Sequence, residues 1–235
     1  MKRTKQISID DAFTGKYALS KTSPPADSLF WKLWNNNKDI GVKALNTKYI
    51  QGMNTGTLDP NVYARYNISD AYYCYRGPED YEAAVKRAKN PILKAFLEMK
   101  RDGYIKYDAE LPGLWRVKSG NGIIPSEVCK EYADYETAVA TGTLPLLKDL
   151  PDPIYTLIVM LPCEYLWPWL AQQMSPTKGN LYNFWITGNN DPSGAYKIGN
   201  FINEYEKEHP IDHTVANEIY RNAMNYEYLN FETAV

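Results

Sequence analysis

The sequence is poor in the residues that most often carry chemistry. It has two histidines, His209 and His213, and three cysteines, Cys74, Cys129 and Cys163. The cysteines lie far apart and form no Cys-x-x-Cys pair, which argues against a disulfide framework and a structural zinc site. With no histidine before position 209, a haem ligand on an early helix is discounted. An excess of one charge is also lacking. Lys and Arg number 26 against 28 Asp and Glu, and there is no basic run, so nucleic acid is not an expected partner. No apolar stretch reads as long enough to span a bilayer, so no membrane association is expected. Residues 1–10 are polar and mixed in charge, without the apolar core of a signal peptide. A cytoplasmic location is the resulting expectation.

Aromatic side chains, by contrast, are abundant, with 20 Tyr and 6 Trp. Tyrosines can pack a core while keeping a polar tip, or line a pocket for a flat ring. The 44% hydrophobic content is enough for a sizeable core. We expect one domain over 1–235, with 1–25 as an irregular lead-in ending at Ser23-Pro24-Pro25.

Capping signals divide the rest. Asp27 or Ser28 precedes Leu29, Phe30, Leu33 and Trp34 at helical spacing. A second helix is expected from about Val42 to Met53. Asp59-Pro60 starts a third, which should close at Gly77-Pro78. Glu79–Arg101 is helical in composition and interrupted at Asn90-Pro91. Residues 104–126, with Pro112-Gly113 and Ser119-Gly120-Asn121-Gly122, read as an irregular insertion. Ser126 caps a helix ending near Gly142. Another follows Asp152-Pro153 and is kinked by Pro162 and Pro168. Helices from Leu181, Pro192 and about Asp212 complete an all-α, multi-helix bundle.

Three polar residues sit where apolar ones would be expected. Tyr66, Asp70 and Tyr73 share a helix face. Asp70 is either solvated beside core tyrosines or a pocket acid held by phenol hydroxyls. Cys163, in Leu161-Pro162-Cys163-Glu164, taken alone reads as a packing residue. It becomes a nucleophile only as thiolate. Glu164 opposes that, so an activating group must come from another helix. Glu227 lies on the face of Tyr220, Met224 and Phe231. It is either a buried carboxyl suited to acid/base work or solvated at a fraying chain end. Glu206-x-x-His209 matches half of a bundle di-iron motif, and two such motifs are needed. His209 is more simply a cation at a helix end, and no metal is expected.

Taken together these segments resemble the thiaminase II family, also called TenA or TENA/THI-4, from about Phe30 to Phe231 outside 104–126. The blocks that carry the resemblance run in order. They are Tyr49 to Pro60 with Gly56-Thr57-Leu58, Tyr66-Asn67-Ile68-Ser69-Asp70-Ala71-Tyr72-Tyr73, Leu161-Pro162-Cys163, Tyr182-Asn183-Phe184-Trp185-Ile186, and Tyr226-Glu227-Tyr228. The resemblance implies a haem-oxygenase-like fold and a homo-oligomer, a tetramer or dimer. It implies hydrolysis of aminopyrimidines or thiamin in thiamin salvage, with a pyrimidine-like small molecule as substrate and no cofactor. It places the nucleophile at Cys163, the acid/base carboxylate at Glu227, and a ring- or thiol-contacting carboxylate at Asp70. Tyr73, Tyr66, Tyr132, Trp167 and Asn189 become substrate-binding candidates. Two positions depart from the pattern, since Trp167 and Asn189 stand where the family commonly has tyrosines. Residues of this kind could therefore also serve a different small heterocycle.

Overall fold

The computed structural model describes residue 13 and residues 15–235. Residues 1–12 and 14 of the expected lead-in, including the polar start, lie outside the described residues. After a 3₁₀ turn at Gly15–Tyr17, ten α-helices follow among the described residues. They are α1 (Leu29–Leu45), α2 (Lys48–Thr55), α3 (Pro60–Arg87), α4 (Pro91–Asp108), α5 (Leu111–Trp115), α6 (Glu127–Thr141), α7 (Ile154–Gln173), α8 (Asn183–Gly188), α9 (Ser193–Glu206) and α10 (His213–Glu232). No strand occurs among the described residues.

Most capping signals act as expected, although Ser28 stands at the N-cap of α1 without a side-chain cap hydrogen bond. The Asp59 carboxylate accepts from the Asn61 amide at 2.8 Å. The Asn90 side chain accepts from Ile92 and Leu93, with Pro91 as the first helical residue. Ser126 Oγ accepts from Cys129 at 3.1 Å, and Asp212 from Thr214 and Val215. Each pairs amides that would otherwise be orphaned at a helix start. Gly142 closes α6 at φ +72°, a conformation glycine adopts without strain.

Four expectations are corrected. The first helix runs past Val42 to Leu45, and Thr47 then caps α2 through its side chain. The third does not stop at Gly77-Pro78 but continues to Arg87 with Pro78 inside it. A Cβ on Gly77 would meet the Tyr104 ring at 2.5 Å, so this glycine permits close approach of α4. Packing of the buried flank Tyr73, Cys74, Asp80 and Tyr81 outweighs the helix-breaking tendency of the proline. The stretch 104–126 opens as helix, because Tyr104–Asp108 finish α4 and Leu111–Trp115 form α5; only the remainder is irregular. Finally, α7 is 20 residues long with a mean hydropathy of 1.3, enough by length and composition to cross a membrane. Yet 78% of that stretch is buried inside the fold, as in the core helix of a helical domain.

This buried helix is the centre of the arrangement. Helix α10 packs along α1, α7 and α6, while α3 packs on α4 and α6. Helices α3, α6, α7 and α10 thus bring one turn each to a common region, and the polar candidates sit there.

Candidate active site

Helical spacing decides which side chains face that region. Tyr66, Asp70 and Tyr73 come from one face of α3, and Cys129, Tyr132 and Glu136 from one face of α6. Cys163 and Trp167 are four apart on α7, as are Glu227 and Phe231 on α10. Two cavities adjoin there and share Asp70 and Tyr73 as a wall. One, of about 360 Å³, is lined by Tyr66, Cys129, Tyr132 and Glu227. The other, of about 570 Å³, is lined by Cys163, Glu164, Trp167, Asn189, Tyr104 and Lys100. All eight candidate residues therefore border one cavity or the other. Cys163 and Glu227 border different ones.

Glu227 is only 3% exposed, so the solvated alternative is set aside. Its Oε1 accepts from the Tyr132 hydroxyl and its Oε2 from the Trp167 indole N–H, each at 3.2 Å. Burial pushes its pKa to about 7, and the Asp70 charge adds to the rise while the two donors oppose it. Trp167 thus supplies a donor where a tyrosine hydroxyl was missed. Its ring continues an aromatic wall, 5.5 Å from Trp185 and 6.1 Å from Phe231. Tyr66 stacks on Phe231 at 5.5 Å. Such faces suit a flat ring.

Asp70 is part-buried, and desolvation alone lifts it to about 7. No phenol hydroxyl bonds to it among the described residues, so of the two readings the one in which tyrosines hold it is set aside. The Tyr73 hydroxyl donates instead to Glu136 at 2.8 Å. Cys163 is desolvated, and the nearby Glu227, Asp70, Glu164 and Glu136 carboxyls push its thiol further up. The cation from another helix is Lys100 on α4, but it is ion-paired with Glu164. Asn189 caps α8 by donating to the Trp185 carbonyl at 2.8 Å.

Glu206 and His209 part company. Glu206 pairs with His213, while His209 meets the Asn90 amide and stacks on Tyr205. No group of three or more metal-type ligands forms among the described residues.

Sequence reading missed Glu136, Cys129 and the Lys100–Glu164 pair. Glu136 was detectable. It is the charged member of a buried α6 face otherwise made of Cys129, Tyr132, Ala133, Val139 and Ala140. The ion pair was not, because its partners are 64 residues apart.

The helical arrangement is the all-α, haem-oxygenase-like fold. Within that fold the chain is similar to solved TenA proteins. One is a TenA homologue from Pyrococcus furiosus, with TM-score 0.68 and 15% identity over 88% of this chain and 100% of that one. Another is described as a TenA family transcription regulator from a Silicibacter species, with TM-score 0.71 and 11% identity over 89% and 97%. A third is a putative TenA-like thiaminase from Sulfolobus solfataricus, with TM-score 0.65 and 14% identity over 87% and 94%. No protein-family model matches the chain, and no curated protein is similar to it in sequence.

Proposed function

We propose that the protein is a TenA-like hydrolase that removes the exocyclic amine of an aminomethyl-pyrimidine, or cleaves thiamin, in thiamin salvage. Cys163 is its nucleophile, Glu227 its acid/base, and Asp70 the carboxylate that serves ring and thiol. The observation that carries this reading is the Glu227 carboxyl. It is buried, held by two donors, and poised at about 7 beside Asp70, also at about 7. Two like carboxyls of this kind divide the work between a protonated and an ionised member near neutrality.

The reaction then balances as follows. The thiol proton passes to ionised Asp70 as sulfur bonds to a ring carbon, and Glu227 protonates a ring nitrogen. Asp70 gives its proton to the departing amine as the exocyclic C–N bond breaks. The ring N–H returns its proton to Glu227, leaving an exocyclic methylene. Water bonds through oxygen to that carbon, with Glu227 moving its proton to the ring. The C–S bond breaks, sulfur regains the proton, and the products are a hydroxymethyl-pyrimidine and ammonia. Tyr66 on the Glu227 side and Trp167 on the Cys163 side offer aromatic faces to the ring. In thiamin the thiazole leaves with its electron pair and needs no proton.

The test is ammonia release from an aminomethyl-aminopyrimidine by purified protein. Cys163→Ala should lose about 10³-fold or more in kcat. An equally active Cys163→Ala would refute the mechanism. A second reading, the same fold serving another heterocycle, rests on Trp167 and Asn189. Tight binding of a different flat ring with no pyrimidine turnover would favour it.

A further inference from the structure

The mechanism above leaves Glu136 unused, although it is 2% exposed and carries a carboxyl into the protein interior. An apolar residue would fill the same place on α6 without the cost of desolvating a polar group. Its contacts explain its presence. Oε1 accepts from the Tyr73 hydroxyl at 2.8 Å. The Tyr73 and Tyr132 rings lie 5.0 Å apart. Tyr73 borders both cavities, whereas Tyr132 borders the Glu227 cavity and donates to Glu227.

We propose that Glu136 is a positioning residue of this site. It anchors the hydroxyl of Tyr73, whose ring packs on that of Tyr132, and so ties the wall of the Cys163 cavity to the hydrogen bond that holds Glu227. The inference rests on the reading of Cys163 and Glu227 as the reacting pair. The electrostatics agree with the geometry. The charged groups that act on Glu136 are Asp80 on α3 and Glu227 on α10, both carboxyls, and burial with their charges keeps it protonated well above the usual carboxylate range. Arg76, on α3, reaches Thr137 rather than Glu136. A protonated carboxyl keeps an acceptor oxygen, so it still receives from Tyr73.

The test is independent of turnover. Native protein is alkylated with iodoacetamide at pH 7, and the Cys163 peptide is followed by mass spectrometry in wild type, E136Q and E136M. Methionine removes the Tyr73 hydrogen bond at similar length. The freed Tyr73 phenol cannot stay unpaired in the interior. Cys163 lines the same cavity as Tyr73 and is a polar group within that space. With Tyr73 turned toward the sulfur, the thiolate is favoured, and E136M should alkylate threefold faster or more. Glutamine keeps an acceptor for Tyr73, so E136Q should stay within twofold of wild type. Adding Tyr73→Phe to E136M should remove most of the gain.

The inference is overturned if E136M stays within twofold of wild type, or if E136Q rises as E136M does, which would make Glu136 a charge and not an anchor. If E136M fails to fold by circular dichroism, E136Q decides, and a change beyond twofold overturns the inference. Ammonia release, run in parallel, separates the two readings. Alkylation behaving as described without pyrimidine turnover overturns the proposed function and upholds the anchor. Turnover with unchanged alkylation in E136M does the reverse.

Discussion

The two cavities share Asp70 and Tyr73 yet treat their key groups in opposite ways. On one side, two donors from α6 and α7 fix Glu227, and its pKa stands at about 7. On the other, no described hydrogen bond reaches the Cys163 sulfur. Burial and the surrounding carboxyls hold it as a thiol, and the Lys100 ammonium is committed to Glu164. The chain itself therefore preorganises the proposed acid/base but not the proposed nucleophile. Preorganised donors need no rearrangement during reaction, whereas a buried thiol needs a base. Asp70 lines both cavities, and in the proposed reaction it is that base.

The largest effect should come from breaking the prepared side. Glu227→Gln keeps the acceptor for one donor and removes the proton. We expect kcat for ammonia release to fall by ~10²–10⁴-fold. The limb of the pH–rate profile near 7 should flatten in the same variant, as this limb reports Glu227 and Asp70 together. A loss under threefold would show that the poised carboxyl has no part in turnover and leave the comparison without its functional meaning.

A smaller effect reads the same asymmetry through stability. Glu227 ionises near pH 4.5 in the unfolded chain and near 7 in the fold, so the folded state holds more protons between those values. Stability from this group is therefore fully present below pH 4.5 and is lost as pH rises to 7. Asp70 acts with the same sign between 3.8 and about 7. Glu227→Gln should abolish its share. Relative to wild type the variant should gain roughly 1–3 kcal/mol between pH 5 and pH 8 in urea unfolding. Parallel pH curves for the two proteins would show that the carboxyl is solvated in solution.

How much of this was legible in the sequence depends on whether the signal was local. Asp59-Pro60, Asn90-Pro91, Ser126 and Asp212 announce helix starts through bonds made within three residues, and the starts fall there. Gly77-Pro78 announces a stop that tertiary packing overrides, because Tyr104 comes from another helix to fill the space beside Gly77. The same contact makes helix of a stretch that reads as loop. At the site, Asp70, Cys163 and Glu227 were each ambiguous alone, and only their order along the chain suggested a set. Their division between two cavities is a property of how α3, α7 and α10 pack, which no local pattern encodes. Glu136 was visible on a helical face, but its partner Tyr73 lies 63 residues away.

The smallest of these effects tests the contact that links the two sides. Trp167 lines the Cys163 cavity yet its indole N–H donates to Glu227 in the other. That bond favours the ionised carboxylate and lowers the Glu227 pKa against the effect of burial. Trp167→Phe keeps an aromatic face beside Phe231 and deletes the donor. Glu227 should then titrate higher, by roughly half a unit to one unit, equivalent to about 1 kcal/mol. The direction separates two accounts of Trp167. As a wall only, it would change KM and leave the pH midpoint in place. As the donor that sets Glu227, it must move the midpoint upward while KM changes little. A midpoint that stays put, or moves down, would mean that Tyr132 alone holds the carboxyl, and the link between the two cavities would then run through Asp70 and Tyr73 without Trp167.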